Sequence, residues 1–458
     1  MDIEYKRKNA WTKLDKKEVM DFSEQYRQFL TACKTERETV EFVQEQAVKR
    51  GYVDLFSDEY KGGDFLAVND NKNILLFKEG KAPVEKGINF VVAHIDSPRI
   101  DVKQNPLYEG ADIAMFKTHY YGGIKKYQWV TVPFALHGVI ILKNGEKLSV
   151  SIGESADDPV FMISDLLPHL ARKQMEKPIK EAIVGEALDP VVGSIPVEDE
   201  KEKNRIKKYI LNLLHDKYGI IEEDFISSEL TFVPAGPARD VGFDNSILMG
   251  YGHDDKVCTY TAYCGLFDSD NLDKSAMVLL MDKEETGSDG ITGSQSDFLE
   301  YTIEKYIKMK GIKDLSSRDV LHRSFSLSAD VNAAVDPLYK DVFEEQNAAM
   351  FGHGIVMTKY TGSGGKYSSS DASAELVYLV RNLFNQCDIP WQIGELGKVD
   401  IGGGGTIAKY MAKRGIATVD AGPPLLSMHA PFELASKADI YSSYLAYKAF
   451  LEKFIPKK

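Results

Sequence analysis

The stretch Asp282-Lys283-Glu284-Glu285-Thr286-Gly287 directly follows an apolar run, residues 276–281. That run is short and bounded by glycine-containing sequence, so it reads as a buried strand. Two adjacent carboxylates at the end of a buried strand are costly unless something binds them. A metal ion is the simplest partner. One glutamate would ligate it while its neighbour serves as a base toward a water that the metal activates. The competing reading is a solvated strand-to-loop junction, because Glu-Glu pairs are common.

Four further stretches share the pattern of an apolar segment followed by His, Asp or Glu. Residues 90–93 run into His94-Ile95-Asp96. His94 would ligate a metal, with Asp96 orienting the ring through its other nitrogen. A strand-end His beside a surface Asp is the alternative. Gly252-His253-Asp254-Asp255-Lys256 stands at the start of a helical pattern, so a carboxylate there either bridges two metals or caps a helix. Residues 326–329 end at Asp330, which alone would be a turn former. His429 precedes Pro431 and, alone, means little. The joint pattern says more than its members. In open α/β sheets, sites form at the carboxyl ends of strands, where His94, Glu284, Glu285 and Asp330 all fall. Two histidines with three or four carboxylates suit zinc or a similar divalent ion. Six groups exceed one tetrahedral ion and suit a pair ~3.5–4 Å apart.

The elements around these residues must hold them in place. Helical periodicity marks residues 16–29, 37–50, 259–266, 374–384 and 436–454. Strand-like runs occupy residues 74–77, 88–92, 277–281, 324–328 and 416–419. This alternation predicts an α/β fold, with helices on both faces of a largely parallel sheet. Residues 102–239 differ in texture: short β-like runs at 131–136, 139–142 and 229–234, and a polar, charge-rich stretch at 173–208. They read as an insertion that divides the main domain into residues 1–101 and 240–458. Two glycine-rich loops, 361–368 and 401–406, expose main chain. No Lys-Ser/Thr pair follows the second, which argues against a nucleotide P-loop.

Composition narrows the classes of partner. The 458 residues carry a net charge of −13, against the basic face that nucleic acid requires and against an anionic membrane surface. No apolar run approaches the ~20 residues of a membrane span. The first six residues hold no apolar signal core, and Cys33, Cys258, Cys264 and Cys387 show no Cys-x-x-Cys spacing. The expectation is a cytoplasmic protein with reduced thiols.

In their order along the chain, His94-x-Asp96, Asp254, Glu284-Glu285, Asp330 and His429 resemble the co-catalytic zinc aminopeptidases. Within them the pattern is similar to the aspartyl aminopeptidase and vacuolar aminopeptidase I family, bacterial branch, over nearly the whole chain. The resemblance implies a zinc-peptidase-like α/β/α catalytic domain, with the insertion as a β-rich dimerisation domain. It implies two zinc ions per chain, one on His94 and Asp330, the other on Glu285 and His429, bridged by Asp254. Glu284 would be the general base and Asp96 the support of His94. His169, within residues 166–170, would reach the site of a neighbouring subunit. The implied reaction removes N-terminal amino acids from peptides with a free N-terminus, in a homo-oligomer that the resemblance suggests is a tetrahedral dodecamer.

One departure is plain. Many relatives carry a hydrophobic-Asp-Asn sequence at the bridging position, where this chain has His253-Asp254-Asp255-Lys256. Asp255 therefore remains an alternative bridge, and His253 an extra ligand to account for. A carboxypeptidase or N-acyl amino acid deacylase on the same core would need an arginine clamp, for which Arg99 and Arg239 are available. A non-catalytic shell protein would have no chemical need for both Glu284 and Glu285.

Overall fold

The computed structural model describes residues 3–456. The chain forms two compact units. One comprises Met1–Asp96, Ala238–Met428 and Glu433–Lys458; the other comprises Ser97–Pro237 and His429–Phe432. The boundaries expected from texture differ from these: residue 102 lies inside the strand Arg99–Gly110, and residue 239 opens the strand Arg239–Val241.

The first unit is built on a nine-stranded sheet. Its middle is four parallel strands, Ala276–Met281, Asn89–His94, Phe325–Ser328 and Ala417–Gly422. Antiparallel and parallel strands flank them on both sides. The central strands read as almost continuous apolar runs because both faces are covered. Val91, Ala93, Val278, Leu280 and Leu327 face a core formed with helices Lys16–Ala32, Glu36–Lys49, His253–Phe267, Ala374–Gln386 and Lys437–Lys453. Phe90, Val92, Met277, Leu279 and Met281 face a second core, formed with Phe298–Met309, Ser317–His322 and Ala408–Lys413. Period-two alternation thus splits one strand between two cores. The helix starts are well specified: Asp15 caps the first helix, and Thr35 with Glu38 forms a capping box on the second.

Register decides where the chemistry falls. Met281 lies opposite His94, while Ser328 lies opposite both Val92 and Asp420. The chain therefore leaves the parallel strands along one edge of the sheet, with Asp282 to Glu285, His94 to Asp96, and Asp330 at that edge. Gly422 ends the fourth strand, and a Cβ there would sit 2.1 Å from the Asp330 carbonyl oxygen. A five-stranded sheet in the same unit places Glu433 opposite Gly250, just before the helix that carries Asp254 and Asp255.

The second unit holds a seven-stranded antiparallel sheet. Ser228–Pro234, Arg99–Gly110, Ile113–Tyr121, Val191–Gly193, Phe161–Met162 and Pro133–Ile141 pair in sequence, and the last pairs back with the first. This is a closed barrel, which removes free edges. Lys147–Ile152 pairs with Pro133–Ile141 as an outer strand. The charge-rich stretch contributes Val191–Gly193, the strand that closes the ring. The two runs at 131–136 and 139–142 are one strand through Gly138. Gly138 has φ +131°, and a Cβ there would lie 1.9 Å from the Glu229 carbonyl oxygen, so only glycine fits this crossing of strands.

Gly422→Ala tests the close approach of the fourth strand to Asp330. The expected outcome is a stability loss of about 2 kcal/mol or more together with weakened divalent-metal binding. Denaturant unfolding and metal titration check it; a variant matching wild type in both would show that Asp330 needs no glycine beside it.

Candidate metal centre

His94 is buried at the end of its strand, and its two nitrogens have separate tasks. Nδ1 lies 3.0 Å from the main-chain oxygen of Asp96 and 3.3 Å from Asp96 Oδ1. Two acceptors on that side place the proton on Nδ1. Nε2 faces the other way, 3.1 Å from Asp254 Oδ1 and 3.9 Å from Asp330 Oδ1. The strand end is further fixed by the Thr259 hydroxyl, which donates to the His94 carbonyl at 2.9 Å.

Asp96 also reaches the neighbouring strand end. Its Oδ1 accepts the main-chain N–H of Glu284 and its Oδ2 that of Glu285, each at 3.1 Å. Glu284–Thr286 is a single 3₁₀ turn, entered through Lys283 with φ +72°. The two amides are unsatisfied donors at the start of this turn, and a buried carboxylate is a strong partner for them. Asp282, also buried, accepts from the Thr292 hydroxyl at 2.7 Å and from Lys283 N at 2.8 Å, so it closes the base of the same loop.

Asp254 and Asp255 open the helix His253–Phe267 with non-helical main chain. Asp255 Oδ2 accepts the His94 N–H at 3.3 Å, whereas its Oδ1 has no hydrogen-bond partner among the described residues. The structure answers the question of His253. Tyr26 OH lies 2.8 Å from its Nδ1, and its Nε2 lies 3.2 Å from the Leu248 carbonyl oxygen. Nε2–H therefore donates to Leu248 and Nδ1 accepts from Tyr26. Both nitrogens are engaged, so His253 is a structural histidine. Burial pushes its pKa down to about 3, keeping it neutral.

Two sets of donor atoms lie within 4.8 Å of one another: His94 with Asp254 and Glu285, and His94 with Asp255 and Asp330. Five of the sequence-predicted groups thus converge within one unit: His94, Asp254, Glu285, Asp330 and Asp96 with its contacts. Asp255, the alternative bridge, joins them. His429 and His169 belong to the second unit. His429 has φ +64°, and its Nδ1 donates to the Gly123 carbonyl at 2.7 Å, while its own carbonyl accepts Trp129 Nε1–H at 3.3 Å. His169 lies exposed on a turn, among exposed Leu166, Leu167 and Leu170. Arg99 Nε donates to Asp101 at 2.7 Å, and Arg239 is exposed on a short strand.

Sequence reasoning passed over Glu433. It is buried, and its Oε2 accepts the Asp254 N–H at 3.0 Å. The available signal was period two: in the strand Glu433–Ser436 this carboxylate shares the inward face of buried Ala435.

The electrostatics call for a cation. Burial raises the Asp255 and Asp330 carboxyls well above the usual range, although His94 pulls both down. Burial likewise raises Glu284, to about 8, again opposed by His94 and reinforced by Glu285, Asp96 and Asp254. Asp282 rises to about 7 through burial, with Glu36 and Asp96 adding to it. For His94, burial acts downward, but the hydrogen bonds that its ring donates to the Asp254 and Asp96 carboxylates outweigh it and hold the ring well above its ordinary value. A mixed set of one imidazole and several carboxylates, with an unmatched oxygen on Asp255, fits zinc or a similar divalent ion.

A buried carboxyl with a raised pKa binds more protons folded than unfolded, so it favours folding at low pH and loses that effect as pH rises through its folded value. For Glu284 the window runs from the ordinary 4.5 to about 8. The chelator-treated chain should therefore lose stability across that window, and a divalent metal should flatten the loss. Denaturant midpoints at several pH values, with and without metal, check this; parallel pH profiles would contradict it.

The family model for aminopeptidase I zinc metalloprotease (M18) matches residues 29–451. A "Probable M18 family aminopeptidase 1" of Clostridium acetobutylicum is 48% identical over 454 residues, 97% of this chain and 98% of its own. The crystal structure of an M18 aminopeptidase from Thermotoga maritima superposes with a TM-score of 0.95 at 45% identity, covering 98% of this chain and all (100%) of its own. The S. cerevisiae mApe1 dodecamer shares the fold, with a TM-score of 0.76 at 21% identity over 95% of this chain and 98% of its own. No helix among the described residues is long and apolar enough to cross a membrane. The chain belongs to the M18 family of zinc metallo-aminopeptidases, hydrolases that act on peptides.

Proposed function

We propose that this chain removes N-terminal residues from peptides with a pair of divalent metal ions, most simply zinc, and with Glu284 as general base. The observation that carries the reading is the convergence of His94, Asp254, Glu285 and Asp330 at the carboxyl edge of one sheet, with Asp96 fastening the imidazole to the glutamate turn. His94 and Asp330 would hold one ion, Glu285 and His429 the other, and Asp254 would bridge. Asp255, whose Oδ2 takes the His94 N–H and whose Oδ1 is unmatched, is the alternative bridge.

Bound there, the ions would acidify a water and polarise the scissile carbonyl. Glu284 is held by its main chain through Asp96, which leaves its carboxylate free to take a proton from the attacking water. The same carboxyl then returns the proton to the departing amine. A raised pKa suits a group that must carry that proton between two steps. The remaining carboxylates supply a negative wall for the substrate's ammonium group, which favours cleavage at a free N-terminus.

The second unit is proposed as the assembly domain, and the α/β unit as the catalytic domain. The exposed apolar residues Val160, Met162, Leu166, Leu167, Leu170, Met175 and Ile179 support this, because soluble monomers rarely leave such a stretch open. With the assembled mApe1 relative as precedent, a closed homo-oligomer of dodecamer size in the cytoplasm is the proposed form. His169 stands within this stretch, and it is proposed to donate a hydrogen bond to the developing oxyanion in a neighbouring subunit.

Glu284→Gln should lower kcat by roughly 10²–10⁴-fold while elemental analysis still finds two metals per chain; loss of metal with Glu284→Gln but retention with Glu285→Gln would exchange the two roles. Chains carrying His169→Phe and chains carrying Glu284→Gln should each be nearly inactive and should regain activity when mixed, since each completes the other's site. Absence of complementation after verified subunit exchange would confine His169 to a structural part.

A further inference from the structure

The segment that presents Asp254 is not a regular helix start. Gly252 enters it with φ +75°, and Asp254 and Asp255 have ψ of 103° and 31°. Residues in such conformations stay outside the helical ladder, so their main-chain groups need other partners. Two contacts fix this segment. Tyr26 and the Leu248 carbonyl pin the His253 ring from opposite sides. Glu433 Oε2 takes the Asp254 N–H at 3.0 Å.

Glu433 is 1% exposed. It starts a strand whose register against Ile247–Gly250 places it opposite Gly250, so the sheet holds its main chain while its side chain reaches the next turn of the same connection. Glu433 accepts that N–H from a buried position, so it bears on the direction of the Asp254 main chain. The main chain here sets which way the Asp254 carboxylate points, and that carboxylate sits 3.1 Å from His94 Nε2 and within 4.8 Å of the Glu285 donor.

We propose that Glu433 is a positioning residue, which holds the Asp254 main chain so that the Asp254 side chain faces the metal pair, without itself ligating metal. The inference rests on Asp254 being a metal ligand. Carboxylates and carbonyls that hold a ligand in place commonly account for about 10–100-fold in metal affinity.

The test is zinc affinity of the full-length chain, measured by competition with a chromophoric chelator, for wild type, Glu433→Gln, Glu433→Asp and Glu433→Ala. Melting of each chain in excess chelator serves as the control for a purely structural role. Glu433→Gln retains an oxygen that accepts the same N–H and should stay within a few fold of wild type. Glu433→Ala removes the acceptor, and Glu433→Asp withdraws it by about 1.5 Å, one carbon–carbon bond; both should weaken zinc binding by roughly 10–100-fold. At saturating zinc their KM for an aminoacyl-anilide should match wild type, with kcat lowered. Should Glu433→Ala fail to fold, Glu433→Asp decides. Wild-type affinity in Glu433→Asp, or a loss in Glu433→Gln as large as in Glu433→Ala, overturns the proposal. A chelator-only melting change with unaltered zinc affinity overturns it equally, by showing a structural role alone. If wild type binds no zinc, the reading of Asp254 as a ligand fails first, which is distinguishable from failure of the variants alone.

Discussion

The centre depends on one carboxylate that ligates nothing in the proposed site. Asp96 ties three things together: the Nδ1–H of His94 and the amides of Glu284 and Glu285. These belong to two adjacent parallel strands, and the hydrogen bonds join their ends beyond the point where sheet pairing stops. Each donor meets the same buried carboxyl group. Orientation of the imidazole and orientation of the glutamate turn are therefore one structural event. The spacing His-x-Asp is what lets the strand-end histidine and its own support come from consecutive turns of backbone.

The same logic recurs on the other side of the site. Asp255 receives the His94 main-chain N–H, and Glu433 receives that of Asp254. Acidic side chains thus serve the scaffold as well as the proposed ligand set. The cost is electrostatic. Burial and mutual repulsion raise the carboxyls of Glu284, Asp255 and Asp330, and the positive charge on His94 offsets only part of this. The proposed divalent cations would supply the missing positive charge, which would link metal binding and stability of this region through the same groups. The chain as a whole is acidic, with a net charge of −13, so the surrounding field does not relieve the crowding.

Much of this was legible in the sequence, for identifiable reasons. Buried strands announce themselves by apolar runs, and the residue just past each run marks the edge of the sheet. That is enough to pick out His94, Glu284, Glu285 and Asp330. The long helix Lys437–Lys453 was visible from the helical spacing of Ile440, Tyr444, Tyr447 and Leu451. What stayed hidden was set by contacts distant in sequence. The engagement of His253 by Tyr26 spans 227 positions, and no local pattern reports it. The inserted unit closes through Val191–Gly193, three residues in a charge-rich stretch that carries no strand signal of its own. Gly138 divided one strand into two apparent runs, because a glycine mid-strand reads as a turn until its crossing partner is known.

Glu433 lay between these extremes, and it shows what a sequence can offer beyond motif matching. An acidic residue at an inward position of a strand breaks the apolar pattern that its neighbours keep, as Ala435 does here. Such a break is unfavourable unless a donor waits inside, so it predicts an internal donor even before the donor can be named. At Glu433 the donor is the amide of a proposed metal ligand, at Asp96 an imidazole and two amides. Both acids are buried with their carboxylates turned toward main chain. The arrangement separates the groups that would bind metal from the groups that hold them, and it lets the irregular backbone around Asp254 and Glu284 persist without regular secondary structure to support it.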